Sequence, residues 1–196
     1  METRLWNPES ISMGAVFHGE SDSPIVGLDF HKDGNYLVST SKGGRVMLVD
    51  ALAGIVKKTV FTRAHGGGIA KYTHHESCIL IGSGKSSHDI KYLCLYDNRF
   101  LRSFVGHADS TNSISMSPQD DTFITTSMDK TMRLWSLSTP NQVGKLKLPN
   151  TTIGESIHAA YDDSGLIFGV VSYIYLRESS PSPHATTTPH SVPPPN

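Results

Sequence analysis

The chain has 196 residues, with 17 Lys and Arg against 18 Asp and Glu for a net charge of −1. That balance excludes capture of nucleic acid by bulk charge, and it excludes a polybasic membrane anchor. Charged residues make up 18% of the chain, below the ~25% of an ordinary soluble protein. Ser, Thr, Gly and Pro fill the gap, a composition that suits strands and turns.

The first residues, Met1-Glu2-Thr3-Arg4-Leu5-Trp6-Asn7-Pro8, lack the basic and apolar regions of a signal peptide. No long window shows a 3.6-residue apolar period. Val26, Leu28 and Phe30 alternate with polar or small neighbours, and His31-Lys32-Asp33-Gly34-Asn35 turns the chain. Tyr36-Leu37-Val38 follows, then the turn Ser41-Lys42-Gly43-Gly44, then Val46 and Leu48 ending at Val49-Asp50. The pattern predicts three strands joined by tight turns, with Ile55 to Phe61 as a fourth.

A second unit runs through Ile69 to Tyr72, the turn His74-His75-Glu76-Ser77, Cys78 to Ile81, and Tyr92 to Asp97. The two cysteines, Cys78 and Cys94, form no CxxC pattern and read as free thiols in a reducing compartment. A third unit lies on the first: residues 25–50 moved by 86 positions fall on 111–136 without a gap. Leu28 and Phe30 meet Ile114 and Met116, Ser41 meets Ser127, and Val46 and Leu48 meet Met132 and Leu134. A fourth unit begins at Ile157 to Tyr161, turns at Asp162-Asp163-Ser164-Gly165, and enters Leu166-Ile167-Phe168 as its second strand. The first strands end at Phe30, Tyr72, Met116 and Tyr161, at separations of 42, 44 and 45. A period in the low forties with four strands per unit is the signature of propeller blades. One such blade cannot bury both faces alone, so its neighbours must cover it.

The chain then changes character. The mainly apolar run from Gly165 to Leu176 has twelve residues, short of the about 20 a membrane helix needs, so the reading is of a soluble, intracellular chain. Six of the eleven prolines lie in the last sixteen residues. Proline removes ladder donors, so this stretch is predicted to be a disordered or polyproline II tail. The expected organisation is an N-terminal extension over 1–12, a partial propeller over 13–172, and a Pro/Ser/Thr-rich tail over 173–196. The strand Met13-Gly14-Ala15-Val16-Phe17 is of the kind that completes the last blade of a closed ring.

The third unit carries Gly106-His107, Ser127-Met128-Asp129 and Leu134-Trp135-Ser136. This resembles the WD40 repeat, which runs from a Gly-His pair to a Trp-Asp pair. The resemblance implies an all-β, WD40-type propeller, incomplete at about three and a half blades. It also implies a hydrogen-bonded series of His107, Ser127, Asp129 and Trp135. Such a series satisfies buried polar groups and stiffens the blade; it is structural, not catalytic. Other units depart from the pattern. Val49-Asp50 and Tyr96-Asp97 stand where Trp-Asp would, and Gly43 stands where the turn Asp would, so the first unit cannot build the series.

The segments 92–107 and 115–135, with Tyr72-Thr73-His74 and Gly165-Leu166-Ile167-Phe168, are similar to a narrower group. They resemble the small WD-repeat subunit shared by the COMPASS-type histone lysine methyltransferase and by nuclear RNA 3′-end processing and phosphatase complexes. The resemblance covers roughly residues 13–171. It implies a nuclear, non-catalytic scaffold without cofactor. Its implied partners are proteins: methyltransferase complex subunits, RNA polymerase II or its associated factors, and a phosphatase or 3′-end processing complex. Neither direct nucleic-acid binding nor membrane contact is expected. The alternative is a truncated isoform, or the product of a wrongly drawn gene, that binds poorly or not at all.

Sharper readings of single motifs fare worse than plain ones. Gly82-Ser83-Gly84-Lys85-Ser86-Ser87 lacks the upstream Gly of a phosphate loop, since Ile79 stands there, and a strand follows instead of a helix. It reads as a hairpin loop. His74, His75 and Cys78 have ligand-type side chains but no fourth partner motif, and read as a polar turn before a buried thiol. His65 reads as a loop residue. His158 with Asp162 and Asp163 lacks a nucleophile in an elbow setting, so no enzymatic activity is expected.

Overall fold

A computed structural model describes residues 23–85, 87–148 and 156–173. The 1–12 extension, the strand expected at 13–17 and the tail beyond Tyr173 lie outside the described residues. Four antiparallel sheets follow one another along the chain. The first comprises β1 (Ile25–Phe30), β2 (Tyr36–Ser41), β3 (Arg45–Asp50) and β4 (Ile55–Phe61). The second comprises β5 (Ala70–Tyr72), β6 (Cys78–Gly82), β7 (Ile90–Cys94) and β8 (Arg99–Phe104). The third comprises β9 (Thr111–Met116), β10 (Thr122–Ser127), β11 (Thr131–Ser136) and β12 (Gln142–Lys147). The fourth has two described strands, β13 (Ser156–Tyr161) and β14 (Phe168–Tyr173). Each sheet is a meander, and β1, β5, β9 and β13 pack side by side in that order. This is the incomplete propeller that the repeat period predicts. No helix among the described residues is long and apolar enough to cross a membrane.

The offset of 86 holds strand by strand: β1, β2 and β3 superimpose in sequence on β9, β10 and β11. Each full blade also carries a register shift between its third and fourth strands, at Leu48/Val49, Tyr92/Leu93 and Leu134/Trp135. A shift at the same place in every blade is a repeated twist, not a local defect.

Cores lie between blades. Because side chains alternate across a strand, Ile79 and Ile81 of β6 face the first blade, packing with Val38, Val46, Tyr72 and Leu93. Leu80 faces the third, packing with Phe104, Ile114, Phe123 and Trp135. In β10, Phe123 joins that second core, whereas Ile124 joins a third with Met132 and Ala159. Strands buried on both faces read as continuous apolar runs, as in Cys78–Gly82. The outer strands β4, β8 and β12 are mostly exposed and carry Lys, Arg and Gln.

Two predicted strands shift. The third strand of the second blade is Ile90–Cys94, not Tyr92 to Asp97. Asn98 takes a left-handed backbone with φ of 60°, and the Asp97 carboxylate accepts the Arg99 N–H, so Tyr96 and Asp97 belong to the turn. Register then places Leu93, not Tyr96, where the third blade has Trp135: Ile79 pairs Leu93 as Phe123 pairs Trp135. In the fourth sheet, Leu166 and Ile167 lie in the turn, 86% and 68% exposed, and β14 begins at Phe168. The Asp162 carboxylate accepts the Ile167 N–H, and Asp162 N–H in turn donates to the Ile167 carbonyl, which holds that turn closed.

Candidate functional site

The third blade holds the polar series. His107 leads into β9, Thr125 lies mid-β10, Asp129 lies in the β10–β11 turn, and Trp135 lies near the end of β11. His107 Nδ1 is 3.0 Å from Asp129 Oδ2, and His107 Nε2 is 2.8 Å from Thr125 Oγ1. The Trp135 indole N–H donates to Thr125 Oγ1 at 2.8 Å. One proton arrangement satisfies every contact. The indole donates to Thr125, the Thr125 hydroxyl donates to His107 Nε2, and His107 Nδ1–H donates to the Asp129 carboxylate. The imidazole in this arrangement is neutral. Burial pushes the His107 pKa below its ordinary value, outweighing the Asp129 carboxylate that pulls it up.

Asp129 is anchored from several sides. Burial pushes its pKa up. The Thr131 hydroxyl, the Ala108 N–H and His107 outweigh that push and hold it down at about 2. Phe104 and Phe123 pack edge-on to each other and around Trp135, which is fully buried. Gly106 explains the glycine of the Gly-His pair. A Cβ there would meet the Arg133 guanidinium at 2.3 Å and the Trp135 ring at 3.1 Å.

Ser127 is not the middle of this series; Thr125 is. The two face the same side of β10, two residues apart, so sequence pattern alone does not separate them. Ser127 sits at the strand end and serves the turn. Its hydroxyl donates to the Asp109 carbonyl at 2.9 Å and accepts the Asp129 N–H at 3.1 Å.

The second blade has a related pair that sequence reading missed. His65 stands 42 residues before His107 and is likewise buried. Its Nδ1 is 3.5 Å from Asp89, and its Nε2 is 3.4 Å from the Ile81 carbonyl, at the β6 position matching Thr125. Asp89 also receives Lys91 at 2.7 Å and the Ser87 hydroxyl at 2.5 Å. Burial pushes the His65 pKa down. The signal was the blade period itself, applied to a histidine without a following Asp-x-x-x-x-x-Trp.

Polar contacts also bind blade to blade. Asp29 of β1 receives Lys71 Nζ at 2.6 Å and the Tyr72 N–H at 2.8 Å. Lys58 of β4 donates to the Leu95 and Tyr96 carbonyls at 2.6 and 2.7 Å. One blade on, Arg102 of β8 donates to the Leu137 carbonyl. Register makes these the same contact, since Lys58 pairs Leu48 and Arg102 pairs Tyr92. Gly144 holds the place in the third blade. His74 reaches from the second blade to the Ser117 and Asp120 carbonyls, at 2.8 and 3.1 Å. Of the candidate catalytic trio, His158 Nε2 lies 2.9 Å from Ser156 Oγ and Asp162 is engaged in its own turn. No group of three or more His, Cys, Asp or Glu that could hold a metal occurs among the described residues.

The family described as "WD domain, G-beta repeat" matches residues 12–50 and 98–136. The two matches stand 86 positions apart, the offset that relates β1–β3 to β9–β11. Residues 12–50 and 98–136 are therefore WD40 repeats. The buried polar series of His107, Thr125, Asp129 and Trp135 lies within the second match. The chain is 36% identical to WD repeat-containing protein 82 of Drosophila melanogaster over 159 residues, covering 81% of this chain and 48% of that protein. It is 33% identical to Set1 complex component swd2 of Schizosaccharomyces pombe over 148 residues, 76% of this chain and 40% of that one. It is 33% identical to COMPASS component SWD2 of Saccharomyces cerevisiae over 149 residues, 75% and 43% respectively. The chain therefore spans less than half the length of each of these relatives.

Proposed function

We propose that this WD40 chain is a non-catalytic scaffold subunit of a COMPASS-like histone lysine methyltransferase complex, acting in the nucleus. The observation that carries this reading is its alignment, over about three quarters of its length, with two fungal proteins named as components of the Set1 complex and of COMPASS. The disposition of its polar groups supports it. The buried His, Asp, Thr and Trp stiffen the third blade, and the outer strands β4, β8 and β12 present Lys and Arg without Asp or Glu, for contact with acidic surfaces of other proteins. The near-neutral net charge agrees with protein partners instead of nucleic acid. We extend the proposal to a link between this complex and RNA polymerase II transcription and its termination, with a phosphatase or 3′-end processing complex among the partners.

The test is affinity capture from nuclear extract with the tagged full chain and with residues 1–172, read by quantitative mass spectrometry. The reading expects a Set1-type methyltransferase and its companion subunits with both. Recovery of RNA polymerase II and termination factors would support the extension. Absence of methyltransferase subunits from both captures contradicts the proposal and favours a product that does not join the complex.

A further inference from the structure

The two cysteines, spaced too far apart in sequence to suggest a motif, face each other in the second blade. Cys78 of β6 is the register partner of Cys94 of β7. The pair is of the narrow kind. The Leu95 N–H donates to the Ser77 carbonyl, so residues 77 and 95 form the hydrogen-bonded pair next to it. Cys78 turns its own backbone groups the other way, its N–H to the His75 carbonyl and its carbonyl to the Thr73 N–H. Antiparallel pairs without mutual hydrogen bonds bring Cα atoms to about 4.5 Å, inside the ~4.4–6.8 Å that a disulfide spans. Both thiols are free, Cys78 buried and Cys94 half-buried. They lie against one another: burial first, then the neighbouring Cys94, pushes the Cys78 thiol up to about 11.

We propose that Cys78 and Cys94 form a reversible redox site, closing to a cross-strand disulfide on exposure to a small-molecule disulfide oxidant. This goes beyond the scaffold reading and does not depend on it. Exposure sets the order of events. Cys94 loses its proton, and the thiolate attacks the oxidant, forming a mixed disulfide and expelling one thiolate. Cys78 then loses its proton and attacks the Cys94 sulfur, forming the internal bond and expelling the second thiolate. The protein gives up two protons and two electrons, and the oxidant leaves as two thiols. The site adjoins the Leu95 and Tyr96 carbonyls that receive Lys58, so closure stiffens the strand end that the first blade grips.

The experiment treats the reduced, native full chain with glutathione disulfide, alkylates remaining thiols, and maps peptides by mass spectrometry. The expected product is a chain two hydrogens lighter, linked Cys78 to Cys94, monomeric, and restored by dithiothreitol. It should form faster in the native chain than in the same chain unfolded in urea, because the fold holds the thiols together. Cys78→Ser should halt the reaction at a glutathione adduct on Cys94. The proposal is overturned if the native wild-type chain stays reduced, or stops at the Cys94 adduct, under conditions where the urea-unfolded chain cross-links. The wild-type result decides, whatever the variant's stability.

Discussion

Replacing Thr125 by Val keeps the shape of the side chain and removes one oxygen. That oxygen joins His107 Nε2 at 2.8 Å and the Trp135 indole N–H at 2.8 Å, and all three residues are buried. The substitution strands an indole donor and an imidazole nitrogen at once. An unsatisfied buried polar group costs about 1–3 kcal/mol, so Thr125→Val should cost about 2–4 kcal/mol. For a domain of this size that is a fall in Tm of roughly 4–16 °C. Ser127→Ala is the comparison. It removes one hydroxyl that donates to the Asp109 carbonyl and accepts the Asp129 N–H at the strand end, at an expected cost of about 1 kcal/mol. Differential scanning calorimetry and urea titration of both variants give the two numbers. If Thr125→Val unfolds at the wild-type temperature, or if Ser127→Ala is the more damaging, the assignment of Thr125 to the middle of the series is wrong.

The same series predicts a pH dependence. His107 and His65 both have folded pKa values pushed below the ordinary 6.5 by burial. Their contribution is therefore complete above about pH 6.5 and declines as pH falls, because the unfolded chain takes up protons that the folded one resists. Asp129, held at about 2, acts lower: its contribution is present above the ordinary value of 3.8 and is lost as pH falls through about 2. Urea midpoints measured between pH 7 and 5 should fall for the wild type and fall less steeply for His107→Gln; equal slopes would remove the histidine from this role. Gly67→Ala should be severely destabilising, since its Cβ would lie 1.9 Å from the Ser41 carbonyl oxygen of the first blade. Overpacking against backbone costs about 1–3 kcal/mol or more, whereas Gly169→Ala, with nothing within 4 Å, should change stability by less than about 0.5 kcal/mol. Arg102→Met and His74→Ala should each loosen the junction of the second and third blades, seen as faster hydrogen exchange in β8 and β9 with β1–β3 unchanged. Faster exchange throughout would mean these contacts are not local to that junction.

Repeat spacing carried most of the fold. The offset of 86 is visible in residue classes alone because both blades need the same alternation and the same turn chemistry, and it maps β1–β3 onto β9–β11 without adjustment. It failed where a turn residue resembles strand: Tyr96 looks like a strand aromatic, yet Asn98 in a left-handed conformation and the Asp97 carboxylate have already ended the strand. The polar series was half legible. His107, Asp129 and Trp135 stand in motif positions, but Thr125 and Ser127 share a strand face, and only bond geometry tells which meets the indole. The blade-to-blade contacts were not legible. Lys58 and Arg102 are ordinary exposed-strand residues until register shows that they occupy one repeated position. The pairing of Cys78 with Cys94 is likewise a fact of register, invisible at their separation in sequence.

The central claim is membership of a COMPASS-like complex through a non-catalytic WD40 scaffold. It is tested most directly by reconstitution: the purified full chain is mixed with a purified Set1-type methyltransferase complex lacking its own WD-repeat subunit and run on size-exclusion chromatography with light scattering. The account predicts co-elution at one chain per complex, with no methyltransferase activity in the chain alone. Elution of a folded chain entirely apart from the complex would contradict it.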